Sequence, residues 1–235
     1  MSTKNLTVNG LELQERSDSS LSRRKFLGFV GAGSAAIATA SILSACGKDD
    51  NPSSGVNLGS GDVGVLNYAY ALEQLEAAFY IKVISSLYSG ITPAEQSLLT
   101  DIRDHEVAHR NFFKAAISAA GATPLQDLQV DFSTIDFGSR ASVLATAKAF
   151  EDLGVTAYNG AGKLLTSAAY LTIAGKIVSV EARHAALIAD LITPGTFADT
   201  TDANGLDIAR TPAQVLAIAG TYVKTKLNAS NLPTS

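Results

Sequence analysis

Two segments of this chain carry the same Glu-x-x-His frame, in which a histidine follows a glutamate by three residues. Glu106 and His109 form the first frame, and Glu181 and His184 form the second. From composition alone, two particular histidines would both follow glutamates in this way with a probability on the order of one in a thousand. On a helix, residues three apart project from one face and can hold a metal ion between them. We therefore expect two helices that present metal ligands.

A second repeated frame pairs a glutamate with a tyrosine seven residues later, as in Glu73 with Tyr80 and Glu151 with Tyr158. Seven residues are close to two helical turns, so each tyrosine shares a face with its glutamate. The second half of the chain repeats the first, at an offset of 78 residues for the single glutamates and 75 for the Glu-x-x-His frames. The two tyrosines are candidates for hydrogen bonding or radical transfer beside a metal, and the alternative is two simply buried tyrosines.

Apolar periodicity predicts four long helices. They are predicted over residues 62–88, from 93 to a stop at Gly121, 139–167 and 168–193. Asp62 can cap the first helix, and Pro194 ends the fourth. The far half of the third helix is weakened by Gly154, Gly160 and Gly162.

The segment between the second and third helices, residues 122–138, has no helical period. Its seventeen residues can reach about 55 Å, whereas a 27-residue helix is about 40 Å long. The segment can therefore run the length of a bundle and bring the third helix in parallel to the second. Thr211 and Pro212 open a short helix to about Leu227. The predicted fold is all-α: a four-helix bundle with a long crossover and a short extra C-terminal helix.

The first 45 residues have the character of a secretion signal. Arg23 and Arg24 precede a Gly/Ala/Ser-rich apolar run, which is typical of twin-arginine export. The run ends in Leu-Ser-Ala before Cys46, the single cysteine, and resembles the site at which bacterial lipoproteins are cleaved and acylated. The alternative is an uncleaved signal anchor. We expect a periplasmic or cell-envelope lipoprotein with a signal over residues 1–45, a flexible tether over 46–61, the bundle over 62–193 and a C-terminal region over 194–235.

Charge and cysteine content argue against nucleic-acid binding and against a disulfide-rich fold. From Cys46 onward the chain has 13 Lys and Arg against 19 Asp and Glu, a net charge of −6. Binding of nucleic acid is disfavoured, because neutralisation of phosphates supplies most of that affinity. A single cysteine also excludes an intramolecular disulfide framework.

Four glutamates on the inward faces of a bundle would be unfavourable without compensating charge. Two divalent cations would bring four positive charges, and two neutral imidazoles would complete their ligand shell. Carboxylates with imidazole suit iron or manganese, whereas structural zinc usually takes thiolates. We therefore expect two iron ions, with manganese as the alternative.

In this order of motifs the sequence resembles the ferritin-like superfamily of bacterioferritin and rubrerythrin type, over about residues 61–193. Residues 66–80, LNYAYALEQLEAAFY, are similar to the opening of exported ferritin-like proteins labelled desiccation-related. The resemblance implies a di-metal site in which Glu106 and Glu181 bridge and Glu73 and Glu151 are terminal. Its ligands would be Glu73, Glu106, His109, Glu151, Glu181 and His184.

Three features depart from that pattern or add to it. Glu76 lies one turn beyond Glu73 and could replace it as a ligand. The chain has no Cys-x-x-Cys pair, so a redox cycle would need an outside electron donor. His105 points about 100° away from Glu106 around the helix, and we expect it at the surface or behind the ligands.

The resemblance leaves several functions open. The first is an oxidoreductase whose metal centre reacts with dioxygen or peroxide, as a ferroxidase or peroxide scavenger. The second is a non-catalytic structural or desiccation-protection lipoprotein of the envelope, either metal-stabilised or metal-free. An iron-storage shell ranks lowest, because a lipid anchor and a tether would hinder closed assembly. We expect a monomer or homodimer that binds the membrane through its lipid.

Overall fold

The computed structural model describes residues 55–234. The predictions for Arg23, Arg24 and Cys46 lie outside the described residues, as does most of the predicted tether. Within the described range the elements are β1 (Val56–Asn57), α1 (Gly61–Ser85), α2 (Pro93–Ala119), α3 (Arg140–Ala161), α4 (Ala168–Ile192), α5 (Pro212–Ala219) and β2 (Leu227–Asn228). None of the helices in this range is both long and apolar enough to cross a membrane.

The architecture is an all-α bundle, as predicted. α1 packs along α2, and α3 packs along α4. Aromatic side chains join these two pairs, since the rings of Phe79 in α1 and Phe150 in α3 meet edge to face with their centroids 5.1 Å apart. Leu99 of α2 and Ile188 of α4 are fully buried in the same core. Burial of the apolar faces of four long helices is the main favourable contribution to this fold.

The helix ends follow local chemistry. The hydroxyl of Thr92 accepts a hydrogen bond from the Glu95 amide and caps α2. α1 ends at Ser85, three residues before its predicted end, and Gly90 then turns the chain with φ of 78°. α3 ends at Ala161 instead of residue 167, because a short 3₁₀ turn over Gly162–Leu164 follows it.

Asp62 does not cap its own helix. Its carboxylate accepts hydrogen bonds from the backbone amides of Thr166 and Ser167, at 2.7 and 2.9 Å, and from the hydroxyl of Thr166. These two residues immediately precede α4. Asp62 therefore fixes the start of α1 to the start of α4, a contact between residues far apart in sequence.

The crossover over residues 122–138 lies along α1, and polar side chains of α1 satisfy its backbone. Asn67 accepts from the amide of Leu125 at 3.2 Å, and Gln74 accepts from the amide of Leu128 at 2.8 Å. On its other side the crossover pairs with the C-terminal region through an antiparallel bridge between Val130 and Val223. The crossover is thus held by hydrogen bonds to α1 on one side and to the C-terminal region on the other.

Both ends of the described chain depart from the prediction. β1 pairs in parallel with β2, and Leu58 is fully buried, so the last residues of the predicted tether pack against the fold. The C-terminal helix α5 ends at Ala219, earlier than the predicted end near Leu227, because a 3₁₀ turn and β2 follow it.

The glycines of α3 serve tertiary packing. Arg210 approaches α3 so closely that its amide donates to the carbonyl oxygen of Thr156 at 3.0 Å, and its guanidinium donates to the hydroxyl of the same residue. A Cβ atom at Gly160 would lie 1.8 Å from the carbonyl oxygen of Arg210. Gly160 is therefore required for the C-terminal region to lie against α3.

We predict that Gly160→Ala lowers the free energy of unfolding by about 1–3 kcal/mol, because the added methyl group displaces the Arg210 backbone. Gly175→Ala is the matched control, since that glycine lies in α4 with open space around its Cβ position. This control should raise stability by up to about 1 kcal/mol through helix propensity. Urea denaturation measures both, and equal stabilisation of the two variants would contradict the packing role of Gly160.

Candidate metal centre

Each long helix contributes to one buried polar cluster in the middle of the bundle. Its four glutamates are fully buried, the His184 side chain is 5 % exposed and the His109 side chain is 13 % exposed. α1 and α3 each supply one glutamate, and α2 and α4 each supply a glutamate and a histidine. The cluster consists of the residues that the repeated frames single out: Glu73, Glu106, His109, Glu151, Glu181 and His184.

These side chains form two groups of four potential ligand atoms, and within each group the atoms all lie within 4.8 Å of one another. The His109 group consists of Glu73, Glu106, His109 and Glu181. The His184 group consists of Glu106, Glu151, Glu181 and His184.

The two groups are near copies of each other. His109 Nδ1 lies 2.9 Å from Glu181 and 3.4 Å from Glu73. His184 Nδ1 lies 2.9 Å from Glu106 and 3.4 Å from Glu151. The glutamate of each histidine's own frame is 3.7 Å away in the first group and 3.6 Å away in the second. The sequence repeat is thus a repeat in space as well.

Glu106 and Glu181 belong to both groups. Oε2 of Glu106 faces His109, and Oε1 faces His184. Oε1 of Glu181 faces His109, and Oε2 faces His184. Each central carboxylate therefore offers one oxygen to each group, which is the arrangement that a carboxylate between two ions requires.

The residues fit a pair of metal ions. Eight buried ligand atoms of the cluster lack a hydrogen-bond partner among the described residues, although their neighbours lie close. Neighbouring ligand atoms around one ion at about 2.1 Å are roughly 3 Å apart, which is near the separations found here. Buried polar atoms without partners are unfavourable in a protein interior. Two cations bound in the cluster would provide all eight of these atoms with an interaction partner.

The two tyrosines connect the halves of the cluster crosswise. The hydroxyl of Tyr80 in α1 donates to Oε1 of Glu151 in α3 at 2.5 Å, and the hydroxyl of Tyr158 in α3 donates to Oε1 of Glu73 in α1. Each outer glutamate thus has one oxygen held by a tyrosine, while its other oxygen faces a histidine. The tyrosines contact the ligands of the opposite half, where they orient the outer carboxylates.

Without metal, protons must balance this cluster. Burial raises the pKa of Glu151 to about 8, and burial with the nearby Glu181 raises that of Glu73 well above its usual value. Burial disfavours the protonated form of the two histidines. The surrounding carboxylates stabilise that form more strongly and raise the pKa of His109 and His184 to about 12. Burial likewise opposes ionisation of Glu106, but contacts with both histidines lower its pKa to about 2. Cations entering the cluster would displace these protons.

Glu76 is a fifth buried carboxylate near the cluster. Its Oε2 lacks a hydrogen-bond partner among the described residues, and burial together with the charges of Glu181 and Glu106 raises its pKa well above the usual range. A Cβ atom at Gly154 would lie 2.9 Å from Oε1 of Glu76, so the glycine makes room for it. Neither ligand group includes Glu76, whereas the His109 group includes Glu73.

Sequence reasoning did not identify the partner of His105. This residue is exposed, as expected, but its Nδ1 lies 2.9 Å from Nε2 of His184 across the α2–α4 interface. The two rings are within 11° of parallel. No spacing rule predicts this contact, because it joins different helices.

A family model described as ferritin-like domain matches residues 61–194, which span all four long helices. The chain belongs to the ferritin-like domain family. A search of curated proteins found no match. The narrower resemblance to exported desiccation-related proteins stays a prediction.

We predict that the metal-free protein loses stability as the pH rises from 5 to 8. Glu151 is protonated in the folded state up to about pH 8, while the unfolded chain releases this proton near 4.5. The histidines keep their protons up to about pH 12, against 6.5 when unfolded. The folded state therefore binds more protons in this window, so the stability present at low pH is lost as the pH rises. The melting temperature of the protein in the presence of a chelator, recorded between pH 5 and 8, measures this loss of stability.

Glu151→Gln should flatten this pH dependence in the window from 4.5 to 8. Glu95→Gln is the matched control, because Glu95 is also buried but pairs with Arg140 outside the cluster. A melting temperature that increases from pH 5 to 8 in the metal-free protein would contradict the charge balance described above.

We predict different effects for the two neighbouring glutamates of α1. Glu73→Gln should weaken metal binding, because Glu73 belongs to the His109 group. Glu76→Gln should preserve the number of bound ions and raise the melting temperature of the metal-free protein at pH 8, because an amide does not ionise in the buried site. Metal analysis of the dialysed variants tests the number of bound ions. Thermal unfolding of the metal-free variants tests the change in melting temperature. Loss of an ion only in Glu76→Gln would make Glu76 the ligand instead.

Proposed function

We propose that the protein holds a carboxylate-bridged pair of iron or manganese ions that reacts with dioxygen or peroxide, as a ferroxidase or peroxide scavenger. The observation that supports this most strongly is the sharing of Glu106 and Glu181 between two matching ligand groups. Such sharing would place two ions side by side. The bound ions would supply electrons to the oxidant and act as Lewis acids toward it.

The donor set favours iron or manganese. Four carboxylates and two imidazoles offer hard oxygen ligands with nitrogen, and neither ligand group among the described residues contains a thiolate. Thiolate-rich sets are typical of structural zinc. Two divalent ions would also balance the charge of the four carboxylates in the cluster.

The surrounding side chains restrict what can react. Tyr80 and Tyr158 hold the outer carboxylates in place, and the complete burial of the four glutamates keeps bulk water away from them. The partly exposed side chain of His109 marks the more accessible side of the cluster. A small oxidant suits this burial better than a large organic substrate does. Electrons for repeated turnover would come from an outside donor.

We also propose that the protein acts outside the cytoplasm. The twin-arginine pattern and Cys46 support export and attachment to the membrane through a lipid. At that location a peroxide-consuming or iron-oxidising centre would act at the cell envelope, as a monomer or homodimer.

The decisive experiment combines metal counting with an oxidant assay. Plasma mass spectrometry of the purified protein should find about two Fe or Mn ions per chain, and the Glu106→Ala/Glu181→Ala variant should lose them. Anaerobic loading with Fe²⁺ followed by limited peroxide or dioxygen should give consumption faster than Fe²⁺ alone. Glu95→Gln, a change at a buried glutamate outside the cluster, should retain both properties.

The possible failures are distinct. Two ions per chain without accelerated consumption would overturn the redox function and favour the structural lipoprotein that the metals only stabilise. Absence of stoichiometric metal in both the protein and the double variant, with equal thermal stability, would overturn the di-metal centre itself.

A further inference from the structure

The repeat that relates α2 to α4 allows the two halves of the cluster to be compared position by position. A shift of 75 residues takes Glu106 to Glu181 and His109 to His184. The Nδ1 atoms of both histidines lie 2.9 Å from the opposite central glutamate. On the side that faces the carboxylates, the halves are therefore equivalent.

The two halves of the cluster differ on the other side of the histidine rings, where Nε2 lies. Nε2 of His184 lies 2.9 Å from Nδ1 of His105, while the residue related to His105 by the same shift is Val180. A valine side chain has no atom that can accept a hydrogen bond. His109 therefore lacks the equivalent support from this position, and its side chain is 13 % exposed against 5 % for His184.

The contact with His105 is compatible with the tautomer of His184 that binds a cation. A cation can bind Nδ1 of His184 only when the proton of the neutral ring is on Nε2. In that tautomer the Nε2–H of His184 can donate to Nδ1 of His105, which acts as the acceptor. The contact also fixes the rotation of the His184 ring. The ring of His184 is thus held with Nδ1 toward the carboxylates before an ion arrives.

We propose that His105 is a positioning residue for His184, and that it makes the two ion positions unequal in affinity. This inference rests on the proposed di-metal centre and adds an order of binding. The His184 group binds the first ion tightly. The His109 group binds the second ion more weakly and exchanges it more readily.

The test is a binding titration of the full chain with Mn²⁺, in which electron paramagnetic resonance measures the free ion. The unsubstituted protein should show two separate binding steps. His105→Ala should weaken the tighter step by about 10- to 100-fold, the usual effect of removing such a partner, and leave the weaker step unchanged. Asp104→Ala is the matched control, because it removes the adjacent exposed side chain, and should change neither step.

Two further variants separate positioning from general stability. His105→Asn should restore the tighter step, because its amide oxygen can accept from Nε2–H of His184. Val180→His should tighten the weaker step by giving His109 the same kind of partner. Proton NMR of the Co²⁺-loaded protein supplies an independent readout. The ring N–H of His184 should exchange slowly with solvent in the unsubstituted protein and rapidly in His105→Ala.

Three results would overturn the inference while leaving the di-metal centre in place: wild-type affinities in His105→Ala, equal weakening of both steps, or His105→Asn behaving like His105→Ala. Failure of the unsubstituted protein to bind Mn²⁺ would overturn this inference together with the di-metal centre. Two unequal steps with the expected response to substitution would support it, even if the loaded protein consumes no oxidant.

Discussion

Burial of Glu73, Glu106, Glu151 and Glu181 inside one bundle is unfavourable unless positive charge accompanies them, because a carboxylate loses its hydration in the low-dielectric interior. In the metal-free state, protons on the carboxylates and on two imidazoles reduce the excess charge. A pair of divalent ions would neutralise it without protons. Four helices converge on this cluster, so the charge balance of the cluster couples to the packing of the entire bundle.

The tyrosine contacts of the cluster join separate helices. Tyr80 of α1 holds Glu151 of α3, and Tyr158 of α3 holds Glu73 of α1. Asp62 and the crossover fasten the outside of the same bundle through backbone hydrogen bonds. This arrangement fixes the ligand atoms before any ion binds, which lowers the reorganisation that binding requires.

Much of the fold was predictable, since apolar periodicity and the length of the crossover act locally or through simple geometry. The helix ends were less predictable. Gly160 is unfavourable for an isolated helix, yet the close approach of Arg210 requires it. Asp62 looked like a cap for its own helix, but it bonds to Thr166 and Ser167, far along the chain.

The sequence by itself determined the four helices and the six candidate ligands, because spacings of three and seven residues fix which side chains share a helical face. Only the tertiary structure decided how those faces meet. It placed one oxygen of each central glutamate toward each histidine, crossed the tyrosines between the halves and brought His105 against His184. Such contacts depend on the relative position of helices that are distant in sequence, and periodicity within a single helix carries no information about that position.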